Sequence, residues 1–334
     1  MKPKIGILRL ALISIFILTG CGNMFTKNKT KFHWLAQESA PKYFYMRIID
    51  GTFYYKNESY GLYIPTAAKI GYSWGEGESA HVVGDDFKPL PDRLDIRFYS
   101  FWENKLYHGS FDLPYEKILA LFKEGVARDK EYPTFRNIIA GVAPGGAVAV
   151  WVTGKGESRE VFFGQATPYE AEMHNPLGSL IADKQAYAES YLEDLPPETY
   201  NRIKKEGIPF GIWEKYRKKY TWDFVVPTEK EVPSIGVSFF NGEHFRTHLP
   251  FNDQNAEKPI PYSLGFTCKF PNDKTQYVYS IGFDYEETNT AMEKLSINGK
   301  KITVILNPTL PKISSTISLT NGKETIELKK IIHK

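Results

Sequence analysis

Hydrophobic and polar positions alternate with period two over much of this chain. Leu94, Ile96 and Phe98 are interleaved with Asp95 and Arg97, the pattern of a half-buried strand. Residues 43–49 and 52–55 are rich in aromatic and β-branched side chains, which favour strands. Turn chemistry adds two hairpins: residues 98–102 and 105–111 flank Glu103-Asn104, and residues 140–143 and 147–153 flank Pro144-Gly145-Gly146. The period becomes helical once in this region. Tyr115, Ile118, Leu119, Phe122 and Val126 form one stripe, with Asp112 as the expected cap and Pro114 in the first turn.

From residue 183 to 220 the spacing predicts helices. One covers 185–195 and is stopped by Pro196-Pro197; the next runs from Pro197 to Gly207. A third is expected over 210–220, with Trp213, Tyr216 and Tyr220 on one side and Lys215, Arg217, Lys218 and Lys219 around the rest. Strands resume at Trp222, and Asn241-Gly242, Asn298-Gly299 and Asn321-Gly322 read as hairpin turns. No long internal repeat and no low-complexity segment is expected. The pattern implies an α+β fold, mainly antiparallel β. An N-terminal sheet with a packed helix leads to a helical segment and then to a C-terminal β-sandwich-like part. The expected bounds are a signal over 1–20, a tether over 21–31, a sheet domain with helices over 32–222, and a β-rich domain over 223–334.

The first residues follow a different pattern. Lys2, Lys4 and Arg9 precede an apolar run over 10–18, broken only by Ser14, and Thr19-Gly20 then precede Cys21. The run is shorter than the roughly 20 apolar residues that span a bilayer, and its three-part layout is that of a secretion signal. Leu18-Thr19-Gly20-Cys21 resembles the site cut by lipoprotein signal peptidase, which implies lipid on the Cys21 thiol. Several acyl chains anchor stably where one is marginal. Gly22, in place of an inner-membrane-retaining Asp, implies the outer membrane with the domain facing the periplasm.

Composition narrows the classes. The sequence has two cysteines, so once Cys21 is lipidated Cys268 has no partner for an intramolecular disulfide and reads as a buried small hydrophobe. Without Lys2, Lys4 and Arg9 the basic and acidic residues balance, which excludes a general nucleic-acid binder. Aromatic residues make up 15%, in keeping with a β-rich exported chain.

Gly71-Tyr72-Ser73-Trp74-Gly75 has the spacing of a serine nucleophile elbow, which requires a preceding strand and a following helix. Residues 76–81 open no helix, so the segment reads as a glycine-rich loop. His244 and His248 lie in an extended stretch without a third ligand for zinc. His108 reads as a half-buried ring in a strand. Asp85-Asp86 and Asp92 lack the spacing of a calcium loop, and residues 142–147 lack the Lys-Ser/Thr of a phosphate loop. Lys204, Lys205, Lys215, Arg217, Lys218 and Lys219 read as a solvated face, with anionic lipid or an acidic partner as the alternative. No residue is assigned to catalysis, a cofactor or a metal. Cys21 is the one assigned site, for lipidation.

Several blocks together resemble a known family. They are residues 88–95, Tyr107-His108-Gly109-Ser110-Phe111-Asp112-Leu113-Pro114, residues 141–146 with Trp151, Gly154 and Gly164-Gln165-Ala166, and residues 207–213 with Tyr216-Arg217 and Tyr220-Thr221-Trp222. In order and content these are similar to the bacterial lipoproteins of domain-of-unknown-function family 2931. The resemblance covers about 43–222. It implies a non-catalytic periplasmic binding protein, in particular an immunity protein that inhibits a type VI secretion phospholipase effector. The expected partners are the membrane, through Cys21, and a secreted phospholipase. An envelope assembly lipoprotein and a serine hydrolase using Ser73 are the alternatives.

Overall fold

The computed structural model describes residues 30–126, 134–226, 232, 234–247, 256–271, 273–309 and 314–333. Cys21 and His248 lie outside the described residues. The architecture is α+β, mainly antiparallel β. The first part runs β1 (Lys31–Phe32), β2 (Leu35–Ser39), β3 (Met46–Tyr55), β4 (Gly61–Tyr63), β5 (Lys88–Pro89), β6 (Pro91–Ser100), β7 (Lys105–Asp112), α1 (Tyr115–Glu124), β8 (Asn137–Ala143), β9 (Ala147–Gly154), β10 (Glu157–Gln165) and β11 (Thr167–Tyr169). Helices α2 (Lys184–Leu192), α3 (Pro197–Glu206) and α4 (Ile212–Lys215) connect it to the second part. That part runs β12 (Lys219–Val225), β13 (Ile235–Phe239), β14 (His244–Thr247), β15 (Glu257–Pro259), β16 (Pro261–Lys269), β17 (Gln276–Gly282), α5 (Tyr285–Leu295), β18 (Ile302–Thr309), β19 (Ser314–Thr320), β20 (Thr325–Glu327) and β21 (Ile332–His333).

One nine-stranded sheet, β2-β8-β9-β10-β14-β13-β16-β17-β21, runs through both parts. Two five-stranded sheets, β11-β7-β6-β3-β4 and β15-β12-β18-β19-β20, pack against its two halves. The named pairings are antiparallel except β2 with β8 and β12 with β18.

The two parts repeat one topology. Each has an opening strand, a sheet of four strands (β4-β3-β6-β7 and β14-β13-β16-β17), a helix, a strand returning parallel to the opening one, and an antiparallel continuation. The registers coincide. Tyr55 faces Pro91 as Phe239 faces Pro261, each beyond a register shift at the same place. Leu94 faces Phe111 as Leu264 faces Ile281, and Thr153 faces Ser158 as Thr320 faces Thr325. The sequence carries a trace of this in Lys88-Pro89-Leu90-Pro91 and Lys258-Pro259-Ile260-Pro261. Trp34 and Trp222, both fully buried, donate their indole N–H to the carbonyls of Pro89 (3.0 Å) and Pro259 (3.1 Å). The expectation of no long repeat is therefore corrected. Equivalence is kept in strand register and burial, with few identical residues to reveal it.

Each repeat has its own core. In the first, alternate residues of β8 and β9 (Ile138, Ala140, Val142; Val148, Val150, Val152) meet Phe53, Ile96 and Phe98, and α1 adds Ile118 and Phe122. In the second, Trp222, Val304 and Leu306 meet Val237, Leu264, Phe266 and Cys268. Helix α2 covers the outer face of the first meander through Ala188 and Leu192, against Tyr99, Phe101 and Leu106.

Four expectations change. Asp112 ends β7 and does not cap α1, whose N-terminus at Pro114 has no side-chain cap. The helix expected over 210–220 is limited to α4, because Tyr220, Trp222 and Phe224 alternate into the second core as part of β12. Strand β12 also contains the expected 222/223 boundary, and the nine-stranded sheet joins both parts where Ser158 pairs with His244. Asn298-Gly299 is no hairpin turn: it sits in a short 3-10 turn after α5, a helix in a region expected to be all strands.

Candidate functional site

The loop after β4 carries Tyr72, Ser73 and Trp74, and buried oxygens hold it in place. Ser39 Oγ donates to the Ser73 carbonyl (2.7 Å) and accepts from Gly75 N–H (3.0 Å). The Glu78 carboxylate accepts from the backbone N–H of Gly71 (3.0 Å), Tyr72 (2.9 Å) and Ala40 (3.4 Å). Burial raises the Glu78 pKa against these bonds. Nearby Glu38 is buried, and burial pushes it up to about 7, opposed by the Ser79 hydroxyl that donates to it at 2.5 Å.

This loop of the first repeat meets the β13–β14 turn of the second. Gly75 (φ 84°) and Gly242 (φ 86°) pack backbone on backbone, and a Cβ on Gly75 would run into Gly242. Trp151 Nε1 donates to the Asn241 carbonyl at 3.0 Å, and the Trp74 ring sits edge-on to Trp151 at 4.8 Å. Gly75 thus serves a close approach between repeats. No helix follows it in the segment before β5, so the nucleophile-elbow context is absent.

Helix α4 and the residues after it form the opposite wall. A ring series runs Phe44, Trp213, Tyr216, Phe240, Tyr262, with centroid separations of 5.4, 6.4, 5.1 and 5.3 Å. Behind it Arg217 grips Glu160 with two bonds (2.7 and 2.8 Å), lies 3.5 Å from the centre of the Phe163 ring, and donates to the Trp213 carbonyl. Burial raises Glu160 to about 7 even beside Arg217, and burial lowers Arg217. Glu243 accepts from Glu160 N–H at 3.0 Å, tying the wall to the β13–β14 turn.

Between the walls lies a cavity of about 340 Å³, lined among others by Tyr72, Ser73, Trp74, Glu76, Trp213, Tyr216, Phe240, Glu243, His244 and Tyr262. Tyr72 and Tyr262 are exposed in its lining. The indole N–H groups of Trp74 and Trp213 are buried and have no partner. Ser73 and His244 share this cavity, yet no hydrogen bond links them. Burial lowers the His244 pKa, so its ring is neutral around pH 7.

The other sequence candidates lie elsewhere. His108, in β7, meets Asp95 at 3.3 Å. Asp92 accepts from Asn57 N–H (3.2 Å) and from Leu113 N–H (2.7 Å), fixing turns. Gly145 N–H donates to Glu103 at 2.9 Å. Cys268 is buried in the second core. The basic run is dispersed: Arg217 faces Glu160, Lys218 pairs with Glu293, and Lys204 lies against Tyr200. Among the described residues no three His, Cys, Asp or Glu side chains converge as metal ligands, and no helix is long and apolar enough to cross a membrane. Glu76, Glu243 and Tyr262 were not singled out from the sequence. The signal that pointed toward Glu243 was the Asn241-Gly242 turn beside it, and Glu76 directly follows the Gly71–Gly75 motif.

The model of the family described as protein of unknown function DUF2931 matches residues 23–211. The chain belongs to this family. The match covers more than half of the sequence, takes in the first repeat with α2 and α3, and ends just before α4. The second repeat lies beyond it. No curated protein and no solved structure matches the chain.

Proposed function

We propose that this DUF2931 protein is a non-catalytic binding protein of the cell envelope. Lipid on Cys21 holds it at the outer membrane, facing the periplasm, and its inter-repeat cleft engages a secreted phospholipase and blocks it. The carrying observation is the cleft: a cavity of about 340 Å³ between the two sandwiches, with Tyr72 and Tyr262 exposed in its lining. Aromatic anchors at a concave site are the usual source of binding energy in protein interfaces. An inhibitor needs such an interface and no catalytic set. The tether adds to the reading, because it concentrates the inhibitor where a phospholipase acts. The test is expression of a type VI secretion phospholipase effector in the periplasm with and without this protein. Survival in its presence supports the reading; equal killing, with the lipoprotein folded and present, leaves an envelope-assembly role ahead.

A second reading, a serine hydrolase, is favoured by one observation: Ser73 and His244 line the same cavity. Against it stand the missing hydrogen bond between them and the missing helix after Gly75. The expected outcome is no labelling of Ser73 by a fluorophosphonate and no change of cellular effect in Ser73→Ala. Ester hydrolysis lost in that variant would promote the hydrolase.

A further inference from the structure

The cleft has a chemical preference as well as a shape. Its rings turn along the wall: Phe44 meets Trp213 at 72°, Trp213 and Tyr216 stack at 10°, and Phe240 meets Tyr262 at 75°. Glu76 and Glu243 line the same space, against a single ammonium, that of Lys42. That ammonium lies 4.8 Å from the centre of the Tyr43 ring.

The first repeat offers an internal comparison. Lys56 N–H donates to the Leu90 carbonyl as Phe240 N–H donates to the Ile260 carbonyl, so Lys56 and Phe240 are equivalent. Tyr115 and Tyr285 both begin the repeat's helix, followed by Glu116 and Glu286. In the first repeat the Lys56 ammonium lies 3.7 Å from the centre of the Tyr115 ring and 3.2 Å from Glu116. This corner of the fold thus holds a cation on a ring beside a carboxylate. In the second repeat the tyrosine and the acid persist, but Phe240 replaces the lysine and Tyr216 and Tyr262 add further rings. The lysine at that position is gone and the aromatic wall has grown, while Tyr285 and Glu286 face a separate pocket that Lys215 and Lys218 also line.

We propose that the inter-repeat cleft binds an organic cation of the quaternary ammonium class, with the rings supplying negative faces and Glu76 and Glu243 the counter-charge. A cation over an aromatic face is held by the ring's negative face, and such cages select quaternary ammonium groups. The cavity falls in the size range of small-molecule sites, about 300–1,000 Å³. The proposal rests on the cleft being a binding site, as above, and adds the chemistry of what enters it.

The test titrates the full-length protein, in a maltoside detergent, with choline and with 3,3-dimethylbutan-1-ol, an uncharged molecule of the same shape. Calorimetry and tryptophan fluorescence report binding. Choline is expected to bind about tenfold or more tightly than the alcohol. Glu76→Gln and Tyr262→Ala should each weaken choline about fivefold, and Tyr262→Leu should fail to restore it. Phosphocholine binding as tightly as choline assigns the group to a lipid headgroup; weaker phosphocholine binding assigns it to a free solute. Equal binding of choline and the alcohol overturns the cation preference while leaving the cleft a binding site. Binding of neither by the folded protein overturns the cation proposal and leaves the inhibitor reading to the periplasmic protection test.

Discussion

Glu38 sits beneath the loop that carries Tyr72 and Trp74, with one carboxylate oxygen taken by Ser79 and the other without a partner. Its ordinary value is 4.5, and in the fold it rises to about 7 through burial. Between those values the folded protein holds a proton that the unfolded chain has lost. The associated stability is complete below about pH 4.5 and is lost as pH rises through about 7. Glu38→Gln is therefore expected to raise stability at pH 8 more than at pH 5, by an amount on the order of 1–3 kcal/mol. Melting curves at the two pH values check this; an equal change at both contradicts it. The Arg217–Glu160 pair behaves differently, because both partners are largely buried and joined by two bonds. Arg217→Ala strands a buried carboxylate and should cost about 3–5 kcal/mol. The double variant Arg217→Met with Glu160→Leu should cost clearly less, as denaturant titration would show.

At the scale of elements, the junction depends on two glycines at positive φ touching backbone to backbone. Gly75→Ala forces the 71–79 loop away from the β13–β14 turn and should cost about 1–3 kcal/mol. It should also loosen the cleft, seen as faster hydrogen exchange at Gly71 and Tyr72, whose N–H groups Glu78 holds. Unchanged exchange with unchanged stability would contradict this account of the junction. The local pattern made several elements readable in advance. Alternation at Leu94–Phe98 marked β6, Pro144-Gly145-Gly146 marked the β8–β9 turn, and Pro197 marked the start of α3. Helix α5 was hidden because its buried stripe includes Thr288 and Ala291 among many polar residues, too weak an apolar signal. The 210–220 stretch was misread because Trp213, Tyr216 and Tyr220 fit a helical spacing while Tyr220, Trp222 and Phe224 fit a strand. Tertiary packing selected the strand.

The whole molecule is a tandem pair of sandwiches joined through β10 and β14, and its cleft exists only because they are joined. That is why the site was not legible as a unit. Tyr72 and Trp74 on one side, and Trp213, Phe240 and Tyr262 on the other, are far apart in sequence. The tyrosine–serine–tryptophan loop and the Trp213–Tyr220 segment each stood out alone; the fold brings them to one cavity. The proposed membrane tether belongs to this scale too. Cys21→Ala is expected to abolish palmitate labelling and the cut before residue 21; labelling at the wild-type level would remove the anchor from the account. The most direct measurement of the central claim is protection in the periplasm by cleft variants. A strain expressing a type VI secretion phospholipase effector in the periplasm would carry either the wild-type protein or Tyr72→Asp with Tyr262→Asp, both exposed positions at the cleft rim, with equal amounts of folded protein verified. The account predicts survival with the wild type and killing with the double variant. Equal protection by both would contradict a cleft-borne inhibitory role, and equal killing with both would contradict inhibition altogether.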